Sequence, residues 1–290
     1  MSPTGQSHSQ PWQKIRGARP VRRGRGSFVW TVLAAGALLG CSHGPAPLVL
    51  ASTTSTEDSG LFDELLPAFE AAEPGYEVRL VAVGSGQALR LGERGDADVL
   101  LVHSPAAEAE FMRAGHGEER RPVMYNEFVI VGPPADPASI RGRDPVAAFR
   151  TIAGARAHFV SRGDDSGTHQ KELALWKRAG VAPAGAAWYT DVGQGMGETL
   201  GVAAERGAYT LTDLATFLFL KQLRGLTVLV AGDSALFNPY SVIVVRHAEH
   251  PAGARAFARW ITSPAGQQLI RSYGRRAFGR PLFTPSARRD

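Results

Sequence analysis

From residue 48 onward the apolar positions alternate between two rhythms. Residues 48–52 form a short apolar run, and Leu61, Phe62, Leu65, Leu66 and Phe69 then recur at the spacing of one helix face. Residues 78–83 return to a strand-like run, and 88–91 open a second helical pattern. Further apolar runs stand at 99–102, 128–131, 159–160, 226–231 and 242–245, with helix candidates between them. This βαβα order predicts an α/β fold in which helices cover largely parallel sheets. No period of about 20 to 50 residues repeats, which argues against a solenoid or propeller.

The same pattern predicts how the chain divides. At 290 residues it reaches the size, about 250 to 300 residues, at which a single core stops growing efficiently, so two lobes are expected. The segment 132–143, with its prolines and glycines, reads as a loop after a strand. Crossings near 123–131 and 238–242 give a discontinuous first lobe, 48–125 with 240–290, and a continuous second lobe, 126–239. Residues 41–47 are rich in turn formers and read as a tether ahead of the fold.

Composition changes this picture only at the N-terminal end. Hydrophobic residues make up 44% and charged residues 20%, as in ordinary globular domains, and no uncharged apolar stretch reaches the roughly 20 residues of a membrane-spanning helix. The formal charge of +5 invites a nucleic-acid partner, but Lys14, Arg16, Arg19, Arg22, Arg23 and Arg25 all precede residue 40 with no acid among them. The remaining basic residues nearly balance the acids, so no nucleic-acid partner is expected. This basic start, an apolar run over 28–39 and the small residues at its end read as a secretory leader spanning 1–40. The run closes Leu38-Leu39-Gly40-Cys41, which is similar to the bacterial lipobox. Cys41 is the single cysteine, so it is expected to carry a lipid rather than an internal disulfide. The expectation is an extracytoplasmic monomer that touches a membrane through its lipid anchor alone. The Arg22-Arg23 pair is followed by Gly24-Arg25-Gly26, which departs from the twin-arginine export pattern.

Four short segments share one grammar, a strand end followed by Gly, Ser or Thr and then a helix start. They are Ser52-Thr53-Thr54-Ser55-Thr56-Glu57-Asp58, Gly84-Ser85-Gly86-Gln87, Ser161-Arg162-Gly163-Asp164-Asp165-Ser166-Gly167-Thr168-His169 and Gly193-Gln194-Gly195-Met196-Gly197. Each presents backbone N–H groups at a helix N-terminus, where the helix dipole also favours an anion. A single segment of this kind is read most simply as capping. Four in an α/β chain can be aimed into one cleft, because such turns lie at the carboxyl ends of parallel strands. The hydroxyls of Thr54, Ser55, Ser85, Ser166 and Thr168 would add neutral donors, and Arg162 a permanent charge.

These segments, together with Leu50-Ala51-Ser52-Thr53-Thr54-Ser55-Thr56 and Gly95-Asp96-Ala97-Asp98-Val99-Leu100-Leu101-Val102-His103-Ser104, resemble the tungstate-binding component of bacterial ABC transporters. The similarity runs in order over 48–285. The resemblance implies a two-lobed type II periplasmic-binding-protein fold, α/β in class, with an oxyanion in the cleft between the lobes and an ABC permease as partner. It also implies ligand contacts from Thr53, Thr54, Ser55, Arg162, Ser166 and Thr168, to which the grammar of the segments adds Ser85, Gly167, Gly195 and Met196. Ser52 departs from the family's run, which opens with threonine, but keeps the hydroxyl.

Phosphate is the natural competitor, since the spacing from Arg162 to Ser166-Gly167-Thr168 also resembles that of phosphate-binding proteins. Phosphate at neutral pH retains a proton and asks for a carboxylate acceptor, whereas tungstate and molybdate are fully ionised and need donors only. Asp98 precedes its strand and His103-Ser104-Pro105 follows it, so no acid stands where that strand would reach a cleft. Asp164 and Asp165, in a turn before a helix, are expected to cap N–H groups or to pair with Arg162. No Cys-x2-Cys or His-Glu-x2-His spacing occurs, so neither a protein-bound metal nor a resident cofactor is expected, and His103 and His169 read as supporting or surface residues. Gly232-Asp233-Ser234 and the pair Ser166 and His169 superficially resemble hydrolase elements, yet neither has a nucleophile-elbow context, so a secreted hydrolase is a distant alternative. Arg162-Gly163-Asp164 also matches an adhesion tripeptide, too short a match to weigh. Trp176, Trp188, Trp260 and Phe257 read as packing residues.

Overall fold

The computed structural model describes residues 44–220 and 225–287. The leader, Cys41 and the first residues of the tether lie outside the described residues. The described chain opens with β1 (Ala46–Thr53), α1 (Thr54–Asp58), α2 (Leu61–Ala72), β2 (Tyr76–Val83), α3 (Ser85–Arg94), β3 (Val99–Val102) and α4 (Pro105–Arg113). The long strand β4 (Gly117–Gly132) then leads to α5 (Pro145–Ala155), β5 (Phe159–Ser161), α6 (Gly167–Ala179), β6 (Tyr189–Asp191), α7 (Met196–Arg206), β7 (Thr210–Asp213), α8 (Leu214–Phe219) and β8 (Thr227–Val230). A second long strand, β9 (Phe237–Val245), returns the chain to α9 (Pro251–Thr262), α10 (Pro264–Ser272), α11 (Arg275–Phe278) and β10 (Thr284–Pro285). Among the described residues the first strand opens at Ala46, whose N–H donates to the Gly75 carbonyl at 2.8 Å.

The unbroken apolar runs are strands buried on both faces. Leu48 and Leu50 of β1, Leu101 of β3 and Val242 and Val244 of β9 enter one hydrophobic cluster with Phe62, Phe69 and Phe257. The alternate residues Ala51, Leu100, Val102, Ile243 and Val245 enter another with Leu89 and Phe111. A strand's side chains alternate between faces, so only a sheet with helices on both sides gives every one of these positions an apolar neighbour. The second half of β4 repeats the arrangement. Phe128 and Ile130 pack with Phe149, Phe159 and Trp176, while Val129 and Val131 pack with Met196 and Leu200. Trp176 and Phe257 are buried, and Trp188 and Trp260 pack partly buried against these clusters.

The expectation of largely parallel sheets needs correction. β1 is parallel to β2 and β3, and β5 is parallel to β6. β9, however, runs antiparallel to β3 and β4, and β4 runs antiparallel to β7, β8 and β10. One strand carries the chain out of the first set of layers and another carries it back, and two such strands lying side by side must run in opposite directions. The segments 123–131 and 238–242 lie within β4 and β9. The first half of β4, Glu118-Glu119-Arg120-Arg121, is polar and alternates in exposure, which is why apolar runs point only to its second half. Among the described residues no helix is long and apolar enough to cross a membrane.

Candidate functional site

All four segments are helix starts. Thr53 is the N-cap of α1, its Oγ1 accepting the Thr56 N–H at 3.3 Å, and Ser166 caps α6, its Oγ accepting the His169 N–H at 3.2 Å. Gly84 and Gly195 hold the N-cap positions of α3 and α7 in extended backbone. Capping is therefore real at Thr53 and Ser166, but the segments also meet. Arg162 Nη2 donates to Thr54 Oγ1 at 2.9 Å. A Cβ placed on Gly84 would stand 3.2 Å from Ser166 Cα, and one on Gly167 would stand 3.0 Å from Ser85 Oγ and 2.7 Å from the His103 ring. On Gly195 it would lie 4.0 Å from Thr54 Oγ1. Gly84 thus lets the backbone at Ser166 approach closely, and Gly167 leaves room for the His103 ring that no Cβ would leave.

The loop between β5 and α6 aims Arg162 inward. Gly163 is left-handed (φ +62°), and a Cβ there would press on Asp191 Cβ at 2.8 Å, so both conformation and space call for glycine. Arg162 is only 1% exposed. Its Nη2 is shared between Thr54 and the Asp164 carboxylate, whose other oxygen accepts the Ser166 N–H at 3.2 Å. Asp164 therefore both pairs with Arg162 and caps the turn. Nε and Nη1 of Arg162, Ser85 Oγ and Thr168 Oγ1 are buried without a protein partner. An unmet buried polar group costs about 1 to 3 kcal/mol, and more when charged. A fold concentrates such donors in one place when a ligand supplies the acceptors. The two other unmet buried atoms among the described residues are Asp213 Oδ2 and Nδ1 of His250, which stands 3.5 Å from Asp98.

The remaining expected residues divide. Thr53 Oγ1 is occupied by Thr56 and Ser55. Ser55 Oγ faces His103 Nε2 at 3.3 Å. Met196 is fully buried among Val129, Val131 and Leu200, so its side chain is core and only its backbone could serve a ligand. The Gly195 carbonyl accepts from Thr199 N–H and Oγ1 at 3.1 and 2.8 Å. Asp98 spans the back of the first lobe, accepting from Val49 N–H at 2.8 Å and His250 N–H at 2.7 Å. Ser166 and His169 form no nucleophile–base pair: Ser166 Oγ meets the backbone of His169, whose ring Nδ1 accepts the Asp165 N–H at 3.0 Å.

Sequence reasoning underrated two residues. His103 is buried, stacks on Tyr240 with 4.7 Å between ring centroids, and is bonded through Nδ1 to Asn238 Oδ1 at 2.9 Å. Burial pushes its pKa down to about 4, which keeps the ring neutral at physiological pH. Its position directly after a strand of the parallel set, where the other site segments also stand, was the available signal. Asp58, at the end of α1, stands near the start of α7, and burial lifts its pKa to about 6 against the pull of the Gly197 N–H and of Arg162. A carboxyl of the protein's own therefore lies close to the α7 N-terminus.

Comparison with known proteins places this geometry in a family. Residues 20–265 match the model of a PBP superfamily domain. The tungstate-binding protein TupA of Peptoclostridium acidaminophilum is 47% identical over 270 residues, 87% of this chain and 94% of that protein. The solved structure of the tungstate-binding protein TupA from Desulfovibrio alaskensis G20 superposes with a TM-score of 0.68 at 45% identity, over 84% of this chain and 100% of that one. The crystal structure of the tungstate ABC transporter from Geobacter sulfurreducens gives a TM-score of 0.71 at 45% identity, over 80% and 100% of the respective chains. With its helix starts gathered around a buried arginine, this chain belongs to the PBP superfamily and, within it, to the family of the TupA tungstate-binding proteins.

Proposed function

We propose that the chain captures a tetrahedral oxyanion, tungstate or molybdate, in the cleft between its lobes and delivers it to the permease of an ABC importer, without catalysing a reaction. The observation that carries this reading is the cluster of buried donors with no protein acceptor: Arg162 Nε and Nη1, Ser85 Oγ and Thr168 Oγ1. A dianion supplies the acceptors and the countercharge that such a cluster needs. Thr54, whose Oγ1 meets Arg162, the Ser166 hydroxyl, and backbone N–H groups from Ser55, Gly167, Gly195 and Met196 complete the proposed cage, with Thr53 capping the turn behind it. The names of relatives at 45 to 47% identity support tungstate as the cargo. The proposed lobes are 48–125 with 240–290 and 126–239, hinged on β4 and β9. Calorimetric titration of the body without its leader against tungstate and molybdate tests the reading. Tight one-to-one binding is expected, and no heat with either anion overturns it.

The anchor is a separate proposal. Cys41, following Leu38-Leu39-Gly40, would become the lipidated N-terminus once residues 1–40 are removed, holding a monomer on the outer face of a membrane. Mass spectrometry of the membrane-fraction protein should find a diacylglyceryl Cys41 at the N-terminus. An intact leader, or a Cys41→Ala chain that stays with the membrane as before, overturns this part alone.

A further inference from the structure

Behind the Ser55 hydroxyl lies a chain of buried polar groups in which each fixes the role of the next. Asn126 Nδ2 and the Thr216 N–H both donate to Asp213 Oδ1, each at 3.0 Å. Asn126 therefore turns its amide nitrogen to Asp213 and its oxygen to Asn238, whose Nδ2 donates to it at 2.7 Å and also faces the Tyr240 hydroxyl at 3.1 Å. Asn238 is left with its oxygen, an acceptor, 2.9 Å from His103 Nδ1. That contact requires the proton on Nδ1. In a neutral ring Nε2 is then bare and can only accept, so Ser55 Oγ, 3.3 Å from it and 3.2 Å from Thr53 Oγ1, pairs with the ring by donating. Thr216 Oγ1 closes the loop by donating to the Ser55 carbonyl at 2.8 Å.

We infer that His103, in its Nδ1–H tautomer, is a positioning residue whose Nε2 accepts a hydrogen bond from the Ser55 hydroxyl and so holds the turn 53–56, with Thr54 beside Arg162, ready for the oxyanion. This rests on the oxyanion reading above and adds a division of labour to it. The hydroxyl proton of Ser55 is committed to the protein, while those of Ser85 and Thr168 are free for the ligand. The loop runs through α1, the turn after β3, β9, β4, the end of β7 and α8, so it ties the start of the fold to both long strands and to the segment between them. A buried network whose members from Asp213 to His103 each have one permitted role narrows the arrangements open to the groups it carries.

Nitrogen-15 NMR of histidine-labelled protein without any anion reads the tautomer directly. A protonated Nδ1 and a bare Nε2 on His103 at pH 7 are expected, and a proton on Nε2 overturns the inference. Tungstate calorimetry on two variants supplies the functional arm. His103→Leu removes the acceptor and should weaken binding about tenfold or more, whereas His103→Gln places a carbonyl near the position of Nε2 and should return to within about threefold of the parent. Both variants lose the stacking on Tyr240, so rescue by glutamine isolates the hydrogen bond. Equal weakening in both, with circular dichroism showing both folded, overturns the inference. A parent chain that binds neither tungstate nor molybdate overturns the oxyanion reading instead, and the tautomer, measured without anion, still decides the relay.

Discussion

A guanidinium buried to 1% exposure keeps two of its three nitrogens unpartnered even though Asp164 pairs with the third. Arg162→Ala should cost on the order of 2 to 4 kcal/mol of tungstate binding by titration, as truncation of one member of a buried charge pair does. Arg162→Lys should recover only part, since it keeps the charge and loses the planar fork. Glu172 makes a different prediction. It is buried in the second lobe, where its Oε1 accepts from Trp176 Nε1 at 3.0 Å and the Tyr189 hydroxyl at 2.7 Å, and burial lifts its pKa to about 7. The folded state thus holds a proton that the unfolded chain releases above a pKa of 4.5. The stability this contributes is fully present below pH 4.5 and is lost as pH rises through about 7. Glu172→Gln keeps an oxygen for both donors and cannot ionise. Its melting temperature should therefore gain on the parent's between pH 5 and pH 8 in scanning calorimetry, by on the order of 2 kcal/mol in stability. A difference that does not change with pH would contradict the assignment.

The start of α6 shows what a single element contributes. Ser166 caps it, Gly167 opens it, and the Thr168 hydroxyl is left unmet one residue later. Because a Cβ on Gly167 would stand 2.7 Å from the His103 ring and 3.0 Å from Ser85 Oγ, the helix reaches the first lobe only as glycine. The imidazole is held by Asn238 and stacked on Tyr240, so it cannot step aside as a flexible side chain would. Gly167→Ala is expected to weaken tungstate binding at least about tenfold by holding the lobes apart. Alanine suits a helix better than glycine does, so the melting temperature of the anion-free protein should fall little. Unchanged affinity, measured by titration, would mean that the lobes do not need to meet at this point. The starts of α1 and α3 were legible because each sets Gly, Ser or Thr at the end of an apolar run, and that of α7 because Gly193 and Gly195 precede it.

For the molecule as a whole, charge and size together set selectivity. With the unmet groups of Arg162, Ser85 and Thr168 all able to donate and both oxygens of Asp164 already partnered, the proposed cage is donor-only provided that the Asp58 carboxyl, lifted by burial to a pKa of about 6, does not reach the anion. A phosphate that retains a proton would bring a donor into this cage, at a cost of about 1 to 3 kcal/mol, or roughly tenfold to a hundredfold in affinity. Sulfate is fully ionised and can be excluded only by size, its shorter bonds leaving some donors out of reach. The expected order in competition titrations is tungstate at or above molybdate, both well above sulfate, with phosphate weak at neutral pH. Displacement of tungstate by phosphate at comparable concentration would defeat the donor-only cage.

The sequence by itself determined the α/β layering, the helix starts and the arginine loop. Each depends on neighbours a few residues away: apolar runs for strands, glycine and hydroxyl residues for caps, and a left-handed Gly163 for the turn that aims Arg162. Only the tertiary structure decided which donors remain unmet. Thr53 and Ser85 look alike in sequence, yet the Thr53 hydroxyl is bonded within its own turn and that of Ser85 has no partner. Met196 follows a glycine as Ser85 does, but its side chain meets Val129 and Val131 and belongs to the core. The antiparallel pairing of β4 with β9, and the chain of groups from Asp213 to His103, join residues as much as 135 positions apart. Partners at such separations are chosen by packing across the whole fold, which no local pattern encodes.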